Sequence, residues 1–110
     1  MEHGAEVNQE DEDGETPLFY ACRKGHENVV KYLVEHGAEI NKENKDGETP
    51  LFYACSIENE TIVKYLVEHG ADMHKENKNE STPLIIACEE GHQDIVKYFV
   101  EQGADLHKKK

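Results

Sequence analysis

Long apolar runs are missing from this sequence. Apolar residues make up 36% of the 110 residues, and no stretch approaches the roughly 20 consecutive apolar residues that cross a bilayer. The amino terminus, MEHGAEVNQEDEDG, is acidic, whereas a secretory signal peptide is basic and then apolar. We therefore expect a protein that makes no use of a membrane and stays inside the cell, in the cytoplasm or the nucleus.

Basic residues are also scarce. There are 12 Lys and Arg against 24 Asp and Glu, which gives a net charge of −12 with neutral histidines. A nucleic-acid partner is excluded on this ground, because binding to phosphates needs a positive face. The charge favours a protein partner, and especially one with a basic segment, through faster encounter.

Motifs of catalysis and metal binding are missing as well. The three cysteines have no CxxC spacing, and the seven histidines form no HExxH or other close ligand set. There is no GxSxG motif and no glycine-rich phosphate loop. We therefore predict no catalytic residue, no cofactor and no metal site.

What the sequence does contain is an internal repeat. The segment DGETPLFYAC at residues 13–22 returns unchanged at 46–55, and residues 13–45 match 46–78 at 24 of 33 positions. Residues 79–110 keep STPLIIAC, IVKYFVE and GADLH in the same frame, and residues 1–12 fit the tail of an earlier unit. We interpret residues 1–110 as one domain with a leading fragment, 1–12, and three units: 13–45, 46–78 and 79–110.

Each unit is expected to form two short helices and a turn. The pairs Thr16-Pro17, Thr49-Pro50 and Thr82-Pro83 predict helix starts, where the Thr side chain accepts a bond from a free amide and Pro leaves no amide unpaired. A second helix with one apolar face follows, and a Gly such as Gly37 ends it. The polar run after it carries Asp-Gly, which is typical of a tight reversal.

These linked motifs resemble the ankyrin-repeat family, whose unit of about 33 residues has a TPLHxAA first helix and a GHxxIVxxLLxxGADVN second half. The resemblance covers essentially the whole chain. It implies an all-α solenoid of stacked antiparallel helix pairs with projecting β-hairpin turns. It also implies a concave surface, formed by the hairpin tips and first helices, that receives protein partners.

The chain departs from this pattern at several positions. Where the family has His after TPL, this chain has apolar residues: Phe19, Phe52 and Ile85. Glu58 stands where the first unit has Gly25, and Asn79-Glu80 replaces Asp-Gly at the third turn. We expect a strained backbone at both of these sites, because each puts a side chain where a turn favours Gly.

Other recurring residues have competing interpretations. Cys22, Cys55 and Cys88 occupy one equivalent position, and we expect buried small-residue packing there, because helices about 8–10 Å apart are too distant for a disulfide. Asn8 and Asn41 resemble the hairpin asparagine that a hydroxylase modifies in this family, but structural capping is the favoured role. The tripeptides at 42–44 and 75–77 spell KEN, as in a degradation signal, and are interpreted as solvated turn residues.

The residues predicted to contact a partner lie in the hairpins and first helices. Otherwise similar units differ most where the first helix ends, with Arg-Lys, Ser-Ile and Glu-Glu in turn, so this face should grade from basic to acidic. The hairpins should supply a polar rim, and the residues after the replaced His should either supply aromatic anchors or pack between helices. The predicted partner-binding residues are Glu12, Asp13, Glu15, Tyr20, Arg23, Lys24, Lys45, Asp46, Glu48, Tyr53, Ser56, Ile57, Lys78, Asn79, Ser81, Ile86, Glu89 and Glu90.

Three functions remain open at this point. The first is a protein-binding scaffold, and the second is a structural spacer of a longer array, or an engineered repeat protein, with no partner of its own. An enzyme has no residue set to support it. Neither end carries a polar cap, since Ile95, Val96, Phe99 and Val100 copy the internal pattern, so we expect a piece of a longer array whose apolar end faces fray or self-associate.

Overall fold

The computed structural model describes residues 7–103, and this part of the chain contains six helices and no strand. Each Thr-Pro pair starts a first helix, and each second helix follows after a turn of two or three residues. The helices are α1 (Pro17–Lys24), α2 (Glu27–Glu35), α3 (Pro50–Ser56), α4 (Glu60–Glu68), α5 (Pro83–Glu90) and α6 (Gln93–Glu101).

The helices stack as three pairs. Each first helix packs on the second helix of its own unit, α3 lies between α1 and α5, and α4 lies between α2 and α6. The predicted all-α architecture of stacked helix pairs is therefore confirmed. The hairpins are tight turns closed by main-chain bonds, such as the one from the Asn44 N–H to the Glu48 carbonyl (2.9 Å), without strands in the described part.

One continuous apolar core runs through the stack. Leu66 and Phe99, which are equivalent residues, are fully buried in it, and their equivalent Leu33 packs against it partly buried. Val29 is exposed although its equivalents are buried, because its side of the helix faces the preceding unit. Burial of this kind stabilises by about 25 cal/mol per Å² of apolar surface.

The last helix corrects one expectation. Ile95 and Phe99 were expected on an exposed end face, but both are fully buried, because their side of α6 packs against the second unit. Val96 is partly buried, and only Val100 is exposed among the four. Exposed apolar surface at this end is therefore smaller than the sequence pattern indicates.

The helix starts correct a second expectation. Thr16, Thr49 and Thr82 have the extended backbone of an N-cap residue, yet only Thr82 accepts a bond through its side chain, from the Ile85 N–H at 3.2 Å. In the first two units the equivalent amide bonds the threonine carbonyl at 3.0 Å. The hydroxyls of Thr16 and Thr49 are consequently buried without a partner.

This difference predicts opposite effects of one substitution. Thr49→Val should leave the free energy of unfolding unchanged or raise it by up to about 1 kcal/mol, because it removes a buried polar group that has no bond. Thr82→Val should lower it by about 1 kcal/mol, because it removes a working N-cap. Urea denaturation followed by circular dichroism measures both, and equal losses for the two variants would contradict the assignment.

Strain occurs where the sequence predicts it. Glu58 (φ 61°) and Glu80 (φ 66°) adopt left-handed conformations, like the glycines at their equivalent positions, Gly25 and Gly47. The prediction of a strained backbone at both sites is confirmed. Such a conformation costs a residue other than Gly about 1–2 kcal/mol. The Oε1 atom of Glu58 also lies 3.3 Å from the Nδ1 atom of His92 in the next unit.

The cysteines differ from one another in exposure. Cys22 and Cys55 are fully buried, as expected, but Cys88 is exposed, so the expectation of burial is wrong for the third unit. The position faces the following unit, and no fourth helix pair lies within residues 7–103 to cover Cys88. Burial raises the pKa of the Cys22 thiol to about 12 and that of Cys55 further.

We therefore expect selective thiol labelling. In the native protein a disulfide reagent should modify Cys88 within minutes and the two buried thiols at least about 100-fold more slowly, because reaction needs an accessible thiolate. In denaturant all three should react at similar rates. Mass spectrometry of the labelled peptides identifies the sites, and fast labelling of Cys22 would contradict the stacked structure.

Candidate protein-binding face

Three equivalent residues shape the turns. Asp11, Asn44 and Asn77 recur 33 residues apart, and a side-chain oxygen of each accepts two main-chain N–H groups of its own turn. For Asn44 these donors are Asp46 (2.9 Å) and Glu48 (3.0 Å). The interpretation of the KEN asparagines as solvated is wrong, because Asn44 and Asn77 are both buried and their side chains are used in these bonds.

Successive turns are also linked to one another. The N–H of Lys45 donates to the carbonyl of Asp13 at 3.0 Å, and the N–H of Lys78 donates to Asp46 at 2.9 Å. The turns therefore run along one edge of the stack. We call the turns at 11–15, 44–48 and 77–81, together with α1, α3 and α5, the turn face.

A polar groove opens in the turn face between the first and second units. Its volume is about 530 Å³. We call it the first groove, and its lining residues are Asp13, Glu15, Tyr20, Arg23, Asn44, Lys45, Asp46 and Tyr53. All of these except Asn44 are among the predicted partner-binding residues, so the structure gathers seven of them in one place.

Glu15 is the centre of the first groove. It was predicted on an exposed polar rim, but it is only 7% exposed, so that prediction is wrong. Its carboxylate accepts from the guanidinium of Arg23 (2.5 Å), the hydroxyl of Tyr53 (2.6 Å) and the side-chain amide of Asn44 (3.0 Å). These bonds explain the burial, because a carboxylate can leave water only when its oxygens are paired.

The electrostatics follow from the same contacts. Burial by itself raises the pKa of Glu15, but the bonds from Tyr53, Arg23 and Asn44 outweigh it and hold the pKa below its usual value of 4.5. Burial and the bond to Glu15 raise the pKa of Tyr53 to about 12, so the phenol keeps its proton and donates it. The guanidinium carbon of Arg23 lies 4.5 Å from the Tyr53 ring centroid and 5.1 Å from that of Tyr20.

Glu15 should make part of the stability depend on pH. A carboxyl whose pKa is lower in the folded state stabilises the fold above the unfolded pKa, near 4.5, and this contribution is lost as pH falls through the folded pKa. Glu15→Gln should therefore lose less stability than the wild type between neutral pH and pH about 3. Thermal denaturation across this range measures the difference. Glu12→Gln, at an exposed residue of the same turn, is the control. If Glu15→Gln lost as much stability on acidification as the wild type does, the assignment would be contradicted.

The equivalent position between the second and third units is built differently. We call it the second groove and define it by Glu48, Tyr53, Ser56, Asn77 and Ile86, the equivalents of Glu15, Tyr20, Arg23, Asn44 and Tyr53. Glu48 is half-buried and accepts from the side-chain amide of Asn77 at 3.1 Å. Ser56 replaces the arginine, and no Lys or Arg within residues 7–103 makes an ion pair with Glu48.

The predicted partner-binding residues differ in exposure. Tyr20 is 44% exposed and Ile57 is 40% exposed, so both present apolar surface on the turn face. Ser56, Ser81 and Ile86 are partly buried. The remaining exposed ones are Glu12, Lys24, Lys78, Asn79, Glu89 and Glu90. The binding role of these residues stays a prediction.

Asn8 and Asn41 lie elsewhere and join successive units. The amide of Asn41 donates to the carbonyl of Gly70 (3.0 Å), and its oxygen accepts from the N–H of Asp72 (2.9 Å). Asn8 makes the same two bonds to the first unit. These contacts agree with the structural role favoured from the sequence.

A second concavity, of about 490 Å³, lies on the outer side of the first unit. Its lining is mostly apolar and includes Pro17, Ala21, Val29 and Leu33. In the second and third units the equivalents of Val29 and Leu33 are buried against the preceding unit. This concavity is therefore the stacking face of the first unit, and it adjoins the turn face at Asp11, Glu15 and Tyr20, which also line it.

The described residues provide neither a cluster of metal ligands nor a membrane-spanning helix. Within residues 7–103, no three His, Cys, Asp or Glu side chains are placed to hold a metal ion. Among the helices between Pro17 and Glu101, none is long and apolar enough to cross a membrane.

The stacked helix pairs and the ladder of turns define a helical repeat protein. A family model described as ankyrin repeats, in three copies, matches residues 1–44 and 37–110. The chain belongs to the ankyrin-repeat family, as its recurring motifs indicate. Ankyrin repeats are in general modules of protein–protein interaction and not enzymes. A comparison with curated proteins found no match.

Proposed function

We propose that this chain holds a protein partner on its turn face. The observation that carries the proposal is where the units differ. Core positions such as Leu18, Leu51 and Leu84 keep the same residue in every unit, whereas the ends of the first helices change from Arg23-Lys24 to Ser56-Ile57 and Glu89-Glu90. Side chains that vary on one face of a constant framework are those that provide specificity in a binding module.

The chemistry of the turn face supports this function. Exposed Tyr20 and Ile57 offer apolar surface, and aromatic anchors surrounded by a polar rim are typical of protein interfaces. Glu89 and Glu90 are exposed at the third unit, and the whole chain has a net charge of −12. A partner with a basic segment is favoured, because opposite charge accelerates encounter and selects against acidic competitors.

The test is capture with matched charge reversals. A photo-crosslinking amino acid at Ile57 should trap a protein from a cell extract, and Glu89→Lys/Glu90→Lys should reduce that crosslink at least about tenfold. The control, Glu35→Lys/Glu68→Lys, reverses two exposed charges on the second helices and should keep the crosslink. Equal yields from both double variants would overturn the proposal.

The spacer function remains a second candidate, supported by the match of 24 of 33 positions between the first two units. Recently duplicated units without a partner of their own would look this similar. Removing residues 46–78 distinguishes the two functions, because a spacer tolerates a changed register and a shaped site does not. With the crosslinking amino acid moved to Lys24 in the first unit, a shaped site should lose its partner on this deletion, whereas unchanged capture would show that the removed unit acts only as a spacer.

A further inference from the structure

The first groove shows how the turn face binds a guanidinium group. Arg23 projects from the end of α1, pairs with the buried carboxylate of Glu15 and lies over two aromatic rings, those of Tyr20 and Tyr53. Asn44 holds the carboxylate from its other side. Carboxylate, amide and ring together make a socket for one arginine, and here the chain fills it with its own side chain.

The second groove repeats the carboxylate and the amide of the socket, has Ile86 in place of the Tyr53 ring, and lacks the occupant. Glu48 takes the place of Glu15, and Asn77 donates to it at 3.1 Å as Asn44 does to Glu15. Tyr53 stands where the first groove has Tyr20. Ser56 stands where the first groove has Arg23, so the end of this helix supplies no guanidinium to Glu48.

The two grooves also differ in the charge of the groups that pair with their carboxylates. Glu15 has a cation at 2.5 Å, whereas the half-buried Glu48 has a single described side-chain partner, the neutral amide of Asn77. A carboxylate partly removed from water gains most from a charge-assisted donor. Within residues 7–103, no cationic side chain pairs with Glu48.

We propose that the second groove receives an arginine side chain of the protein partner. This inference rests on the proposed function and gives the partner's chemistry. The guanidinium donates to Glu48 and lies against the ring of Tyr53, as Arg23 does at Glu15 and Tyr20, and Ile86 supplies the apolar wall that Tyr53 supplies in the first groove. Arginine fits better than lysine, because its planar fork both pairs with a carboxylate and stacks on an aromatic ring.

The direct test uses a defined probe. The peptide acetyl-Gly-Arg-Gly-amide is titrated into the full chain, and the backbone amide shifts are followed by NMR. Saturable shifts at Glu48, Tyr53 and Asn77 are expected, with a dissociation constant of about 1 mM, since a single side chain provides the contacts. The same peptide with citrulline, which is neutral, should bind at least about tenfold more weakly. Absence of a saturable shift in the second groove would overturn the inference.

Matched substitutions can add a guanidinium to the second groove and remove the guanidinium from the first groove. Ser56→Arg places the chain's own guanidinium in the second groove, so it should abolish the peptide shifts there and leave the circular dichroism spectrum unchanged. Glu48→Gln should also abolish them and provides a second variant that adds no bulk. Arg23→Ser should create a new set of shifts at Glu15 and Asn44. Peptide binding that persists in Ser56→Arg would contradict the socket.

The same variant separates this inference from the proposed function. If Ser56→Arg and Glu89→Lys/Glu90→Lys both lose the crosslinked partner, both ideas are supported. If Ser56→Arg keeps the partner while the double charge reversal loses it, the arginine socket is wrong and the binding function of the turn face stands.

Discussion

Alanine at position 44 should lower the free energy of unfolding by about 3 kcal/mol, one of the two largest effects we expect. Asn44 is buried and makes four side-chain bonds: it accepts from the main chain of Asp46 and Glu48, and it donates to Glu15 and to the hydroxyl of Tyr53. Its removal opens a turn and takes a donor from a buried carboxylate. Leaving such groups unpaired costs more than the net value of the bonds themselves.

The matched control is Asn77→Ala. Asn77 makes the same two turn bonds, but the carboxylate that it serves, Glu48, is only half-buried. Its loss should be smaller, about 1.5 kcal/mol. Urea unfolding followed by circular dichroism measures both variants. Equal losses would show that the turn alone, and not the buried Glu15 network, accounts for the effect.

Gly47→Ala should destabilise the protein by a similar amount, about 3 kcal/mol, for two separate reasons. The backbone at Gly47 is left-handed (φ 76°), which disfavours a side chain. In addition, a Cβ atom there would lie 3.3 Å from the Cα atom of Asn77 and 3.3 Å from the nitrogen of Lys78. Both contacts are to backbone of the next turn, which is fixed by the bond between Lys78 and Asp46.

Gly91→Ala separates these two reasons. Gly91 has nearly the same conformation (φ 75°), but a Cβ atom there would meet nothing within 4 Å. Its cost should be that of the left-handed backbone alone, about 1 kcal/mol. The difference between the two variants, measured by thermal denaturation, is the cost of the close approach between turns. A loss for Gly47→Ala no larger than for Gly91→Ala would contradict that approach.

The helix pairs could be predicted because the same sequence signals recur in each unit. Thr-Pro at 16–17, 49–50 and 82–83 marks the start of a first helix, and apolar positions such as Leu66 and Phe99 recur one period apart. A single recurring motif is weak evidence for a fold. Several motifs that recur together are strong evidence, because a repeat unit can bury its apolar side only against a neighbouring unit of the same kind. Periodicity therefore predicted the two helices of each unit, whereas the stacked all-α solenoid was implied by the resemblance to the ankyrin-repeat family.

The burial of Glu15 could not be predicted in the same way. Its partners are Arg23 in the following helix and Tyr53 in the next unit, 38 residues further along the chain. Only the register between layers brings the three together. The sequence shows a charged residue next to a turn, and in most proteins such a residue is exposed.

Asn44 is different, because its signal was present in the sequence and was interpreted otherwise. Asp11, Asn44 and Asn77 recur at the repeat period, each two residues before the residue pair at the tip of its turn. Asp and Asn at this place commonly bond the amides two and four residues ahead. A local pattern of this kind could have identified the turn residues, whereas the burial of Asn44 also depends on Glu15.

The unequal sockets of the two grooves also affect how the molecule comes apart. At the turn face, Glu15 ties the first layer to the second through Asn44 and Tyr53, whereas Glu48 reaches the third layer only through Asn77. The stability of a repeat array is roughly the sum of its layers and of the joints between neighbours. Along this edge the contact between the first and second units is therefore stronger than the contact between the second and third units. A partner's arginine bound at Glu48 would stabilise the weaker contact.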